Sequence, residues 1–219
     1  MSDQLILKFP SYQAYKKEDF YVSSGNQKAY DFINSWPRWI KRIVNIFGPS
    51  GSGKSHLASI LKNKTSCWQI NSNELNEKIF LKYKTREALI IENLDEKISE
   101  KLLFALWNTA VHDNKYFLIT SKKPIHSYKF KLPDLISRVN SGIVIAINLP
   151  SDDLISVILA KNFSDKQIKV EKKHIDYIIK RIDRSYEKIS QFILTLDKYS
   201  LKKGRPFSLK LIKEVLKMI

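Results

Sequence analysis

The chain has 219 residues, 43% of them hydrophobic, with 38 Lys and Arg against 22 Asp and Glu for a formal charge of +16. That apolar content supports a buried core and excludes a largely disordered polymer, while the lack of a bilayer-length apolar stretch or a secretory signal after Met1 predicts a cytoplasmic protein with no membrane association. The positive excess leaves two readings open: contact with a polyanion such as DNA through a basic surface, or a solvated surface in a chain rich in Lys, Ile and Asn but holding only 6 Gly and 7 Pro.

In chain order, Trp36 and Trp39 stand three apart in a predicted helix and are expected to pack the domain rather than stack on bases, despite the neighbouring Arg38, Lys41 and Arg42. Ile43 to Phe47 is a short apolar run that stops at Gly48, and His56 to Leu61 after it is compatible with a helix. Cys67 is a lone cysteine without a disulfide partner or metal-ligand spacing, which excludes structural zinc. Ala88 to Ile91, Tyr116 to Ile119 and Ile143 to Ile147 have the length of buried strands, and Leu102, Leu103, Leu106 and Trp107 show helical spacing between them. Alternating strands and helices predict an α/β fold with a mainly parallel sheet.

From Ser151 onward apolar residues recur at three and four: Leu154, Ile158, Leu159; Ile175, Ile178, Ile179, Ile182; Tyr186, Ile189, Phe192, Ile193, Leu196. A small all-α domain is therefore expected, with a boundary near residue 150. Ser151 and Ser208 are predicted N-caps, Gly204-Arg205-Pro206 separates two helices, and Leu209, Ile212, Leu216 and Ile219 form the expected buried face of the last one.

Gly48-Pro49-Ser50-Gly51-Ser52-Gly53-Lys54-Ser55 fits G-x-x-x-x-G-K-[ST] in full, in the strand-to-helix setting that a P-loop needs. Glycines let successive N–H groups turn inward, the helix N-terminus adds positive potential, Lys54 reaches phosphate and the Ser55 hydroxyl can ligate Mg²⁺. The expected ligand is ADP or ATP with Mg²⁺, bound by Gly48 through Ser55 together with His56; the plainer alternative is a structural glycine turn. Glu92, at the end of the Ala88 run, is the candidate acid for metal and catalysis. Asp is the usual residue there, and the following Asn93 stands where hydrolysing proteins often carry a second acid, so binding with weak intrinsic hydrolysis is expected. Asp95 reads as an exposed loop carboxylate.

These motifs resemble the DnaA-type AAA+ replication initiators. Phe20 to Tyr30 is similar to their opening segment, Gly53-Lys54-Ser55-His56-Leu57 to their P-loop, Ile119-Thr120-Ser121-Lys122-Lys123-Pro124 to their sensor-1 strand, and Leu132 to Arg138 to the helix presenting their arginine finger. Because the chain ends straight after the lid, without a helix-turn-helix domain, the resemblance is to the Hda-like regulatory inactivators within that family.

The resemblance implies a clamp-binding peptide at 1–10 with Gln4, Leu5 and Leu7 as contacts, an AAA+ domain at 11–150 and a helical lid at 151–219. It further implies a DnaA-type initiator and the DNA polymerase sliding clamp as partners, allows a homo-oligomer, and gives Arg138 a catalytic role toward ATP held by another subunit. The chain departs from the family at Glu187, which falls at the sensor-2 position with Arg184 one turn earlier, and at Lys122, where initiators often carry Asp; both favour ADP-bound function. The alternative function is a DNA-binding helicase loader or truncated initiator. A small-molecule kinase would require an Arg-rich acceptor lid that the C-terminal helices do not resemble.

Overall fold

The computed structural model describes residues 20–165, 168, 170–203 and 208–219, with 201–203 described by backbone alone. Elements appear in the order α1 (Gln27–Asn34), β1 (Ile43–Phe47), α2 (Lys54–Lys62), β2 (Cys67–Asn71), α3 (Lys78–Lys84), β3 (Ala88–Leu94), α4 (Glu100–His112), β4 (Tyr116–Ser121), α5 (Pro133–Ser141) and β5 (Ile143–Ala146). Four further helices follow: α6 (Asp152–Asp165), α7 (Lys172–Ile179), α8 (Tyr186–Lys203) and α9 (Leu209–Leu216).

The strands form one parallel sheet in the order β2-β3-β4-β1-β5. Its central strands read as unbroken apolar runs because both faces are covered, and side chains alternate between two cores. Leu89, Ile91, Phe117 and Ile119 point into a core with Trp107, Tyr83 and Leu103, whereas Val44, Ile46, Ile90 and Leu118 point into the other with Leu57, Leu61 and Ile33. Asn45 is the polar exception on β1. It is 2% exposed and fully engaged, donating to Ile119 O at 3.1 Å and Ser121 Oγ at 2.8 Å and accepting from Ile125 N at 2.9 Å.

The strand order reverses at β1, so the C-terminal ends of β1, β3 and β4 open onto one crevice, the position where open α/β sheets hold ligands. The four C-terminal helices bury a core of their own, including Leu159, Phe163, Ile178, Phe192, Leu196, Ile212 and Val215. Ser151 and Ser208 cap α6 and α9 as expected, accepting from Leu154 N and Leu211 N at 3.3 and 3.4 Å. No helix among the described residues is long and apolar enough to cross a membrane.

The structure corrects two expectations and adds one strand. Trp36 and Trp39 do not lie in a helix: α1 ends at Asn34, and the two rings pack from the following turn, edge-on to Tyr116 at 5.8 and 5.4 Å. In α9 Ile212 is buried and Leu216 and Ile219 pack against the lid core as expected, but Leu209 in the first turn is 37% exposed, and Leu211 and Val215 complete the buried face. Gly204-Arg205-Pro206 lies outside the described residues. Finally, β2 was invisible to pattern reading because Trp68, Gln69 and Asn71 are only half-buried at the sheet edge, which removes the continuous apolar run.

Candidate functional site

The loop after β1 is built on glycine. A Cβ on Gly48 would lie 2.6 Å from Ile147 O, so only hydrogen fits where the chain leaves the strand. Gly51 and Gly53 have φ of +77° and +89°, the left-handed region that costs other residues about 1 kcal/mol or more. Gly53 is the N-cap of α2 and offers no side chain to the helix's first N–H groups, which therefore remain available at the crevice.

Lys54 is 8% exposed and curls back onto the loop, its Nζ donating to Gly48 O at 2.8 Å, Pro49 O at 2.7 Å and Ser52 Oγ at 3.4 Å. Burial, with a smaller contribution from Lys122, lowers its pKa to about 8 against the opposing pull of Glu92. The Ser55 hydroxyl donates to Glu92 Oε2, and Gln69 Nε2 donates to the other carboxylate oxygen, so β2 and α2 together orient the acid on β3.

Past Glu92, β3 departs from regular pairing with β4, and Asn93 takes a φ of +56°. That conformation is pinned from both sides: Asn93 N–H donates to Thr120 Oγ1 at 3.2 Å and its carbonyl accepts from Ser72 Oγ at 2.8 Å. Thr120, 1% exposed, thus positions Asn93 at the crevice.

A cleft of about 680 Å³ runs from the loop to the lid. Ser50 through His56, Asn93 and Lys122 line it from the sheet side, Ile158, Lys161, Asn162 and Asp165 from α6, Ser190 from α8, and Tyr21 from the N-terminal side. His56 is buried beneath the edge of the Phe20 ring, with centroids 5.2 Å apart, and Lys161 lies 5.3 Å over Tyr21.

The fold therefore brings together the loop residues Gly48–Ser55, His56 and Glu92. Arg138 stands elsewhere, exposed in the last turn of α5 and absent from the cleft lining. Glu187 is exposed in the first turn of α8, outside the lining as well. Arg184 pairs with Asp152 at 3.0 Å, tying the lid's helices together rather than reaching into the cleft. Asp95 is exposed and accepts from Lys97 N at 2.9 Å, as a loop carboxylate does. Gln4, Leu5 and Leu7 lie outside the described residues. Sequence reading missed the lid's contribution: Ile158, Lys161, Asn162 and Asp165 recur at three and four along α6, but only the docking of α6 reveals that this stripe faces the loop.

Residues 152–216 match the family model of the Hda lid domain. The chain is 26% identical over 93% of its length to the chromosomal replication initiator protein DnaA of Helicobacter hepaticus, and it spans 50% of that protein, about half the length of the curated DnaA relatives it matches. Its fold matches domain III of the Thermotoga maritima replication initiation protein DnaA with a TM-score of 0.76 and 20% identity, covering 96% of this chain and 98% of that one. AMPPCP-bound DnaA from Aquifex aeolicus aligns with a TM-score of 0.72 and 19% identity, covering 87% of this chain and 67% of that one. In its parallel sheet, the glycine loop after β1 and its helical lid, the chain is thus similar to the DnaA-type AAA+ proteins, and its lid matches the Hda lid model.

Proposed function

We propose that this protein is a nucleotide-held regulator of replication initiation, which docks on the sliding clamp through Gln4, Leu5 and Leu7 and presents Arg138 to ATP bound by a DnaA-type initiator. The observation that carries the reading is the placement of Arg138. Its side chain is exposed, makes no hydrogen bond or ion pair among the described residues, and stands outside this chain's own cleft, as a cation acting on another subunit's nucleotide would.

ADP or ATP is the proposed ligand of the cleft. The loop's left-handed glycines, the uncapped start of α2 and the buried Lys54 fit a phosphate chain, and phosphate oxygens would replace the loop carbonyls that Lys54 now contacts. AMPPCP in the Aquifex aeolicus DnaA structure supports a nucleotide here. Ser55 and Glu92 fit Mg²⁺ because a hydroxyl and a carboxylate meet beside the loop; the metal would supply charge neutralisation at the phosphates.

The proposed organisation is a clamp peptide at 1–10, an AAA+ body at 11–150 and a lid at 151–219, acting in the cytoplasm. Replacing Gln4, Leu5 and Leu7 with Ala should abolish pull-down by purified sliding clamp while leaving ADP affinity intact; undiminished clamp capture would sink the docking role. A second reading, direct DNA binding as a loader or truncated initiator, is favoured only by the formal charge of +16. Several phosphate contacts would make affinity for duplex or single-stranded DNA fall steeply with salt, whereas weak, sequence-blind retention is expected of a solvated basic surface.

A further inference from the structure

Among the lysines that line the cleft, Lys54 is held by the loop carbonyls and Lys161 lies over the Tyr21 ring. Lys122 differs from both. It follows directly on β4, lines the cleft on the same side as Asn93, and makes no hydrogen bond or ion pair among the described residues. Its neighbour Lys123, by contrast, is engaged with Glu96 at 2.6 Å. The acid best placed to hold a metal, Glu92, has both carboxylate oxygens taken by Ser55 and Gln69. The phosphate end of the cleft thus offers a second ammonium group not committed to another residue, beside an acid already satisfied by protein donors.

Resting on the nucleotide reading above, we propose that Lys122 is a phosphate-contacting residue that does the charge neutralisation usually left to a divalent cation, so this protein retains ADP or ATP without Mg²⁺. A lysine ammonium is a compact point charge suited to phosphate oxygens, and the partly enclosed cleft strengthens its attraction relative to open water. The flexible stem lets it follow the phosphate chain. Ser55 and Glu92 can still receive a metal, but binding does not require one.

The test is calorimetric titration of ADP and ATP into the full chain, in Mg²⁺ buffer and in EDTA, for the wild type, Lys122→Ala and Lys122→Arg. Wild-type affinity should change by less than about threefold between the two buffers. Lys122→Ala should lose about ten- to a hundredfold in EDTA, the worth of one charge-assisted hydrogen bond, but much less in Mg²⁺, and Lys122→Arg should recover most of that loss. Wild-type binding that needs Mg²⁺, or a Lys122→Ala variant that matches wild type in EDTA, overturns the inference while leaving the nucleotide reading intact. Failure of the wild type to bind in either buffer overturns both. Lys122 is exposed, so its replacement should leave the melting temperature unchanged; a large drop would assign it a structural role instead and also overturn the inference.

Discussion

Gly51 in the glycine loop after β1 and Tyr186 at the start of α8 are in direct apposition: a Cβ added at Gly51 would lie 3.0 Å from Tyr186 Cβ. The lid thus rests on the crest of the loop, and the conformation of one is coupled to the seating of the other. Gly51→Ala adds a methyl at a φ of +77° and against that contact. It should cost about 1–3 kcal/mol, measured by denaturant unfolding, and weaken ADP binding as the lid is displaced. An unchanged midpoint and unchanged affinity would show that loop and lid are uncoupled.

Lys54 gives a pH dependence with a definite sign. Burial lowers its pKa to about 8, and a bound phosphate chain would favour the ammonium and raise it. Free protein above about pH 8 has lost that proton and must regain it on binding. Nucleotide affinity should therefore be flat below pH 8 and fall as pH rises beyond it, with proton uptake visible in calorimetry repeated in buffers of different ionisation enthalpy. Lys54→Ala should abolish the pH dependence and weaken binding about ten- to a hundredfold.

Asn45 ties β1 to β4 and to the turn at Ile125 through three hydrogen bonds from a site 2% exposed to solvent. Asn45→Ala leaves Ile119 O and Ile125 N without those partners and opens a small void, an expected loss of about 2–4 kcal/mol in urea unfolding. Because β1 carries the loop, nucleotide affinity should fall with it.

The parts of this molecule legible in the sequence are those where a local pattern decides the outcome. Ile43–Phe47 was readable to the residue as a strand because both sheet faces are covered and a glycine stops it, and the Ser151 and Ser208 caps were readable because an N-cap is a local device. The glycine turn between β1 and α2 was legible because its positive-φ positions fall on glycines. Other features depend on packing between distant segments: the half-buried edge strand Cys67–Asn71, the turn that carries Trp36 and Trp39, the face of α6 that lines the cleft, and the clamp of Gln69 on Glu92. No periodicity announces which side of a helix will meet a loop a hundred residues earlier. Arg138 shows both limits at once, since its helix was foreseeable and its distance from the chain's own cleft required the fold.

The most direct test of the regulatory role is single-turnover hydrolysis of ATP bound to a purified DnaA-type initiator, measured with clamp-loaded DNA and either the wild-type chain or Arg138→Ala. The wild type should accelerate hydrolysis, and Arg138→Ala should lose about a thousandfold or more of any acceleration supplied by an arginine finger while still binding ADP and clamp. Acceleration by Arg138→Ala equal to that of the wild type, or none by the wild type itself, would contradict the proposed action of Arg138 on a partner's nucleotide.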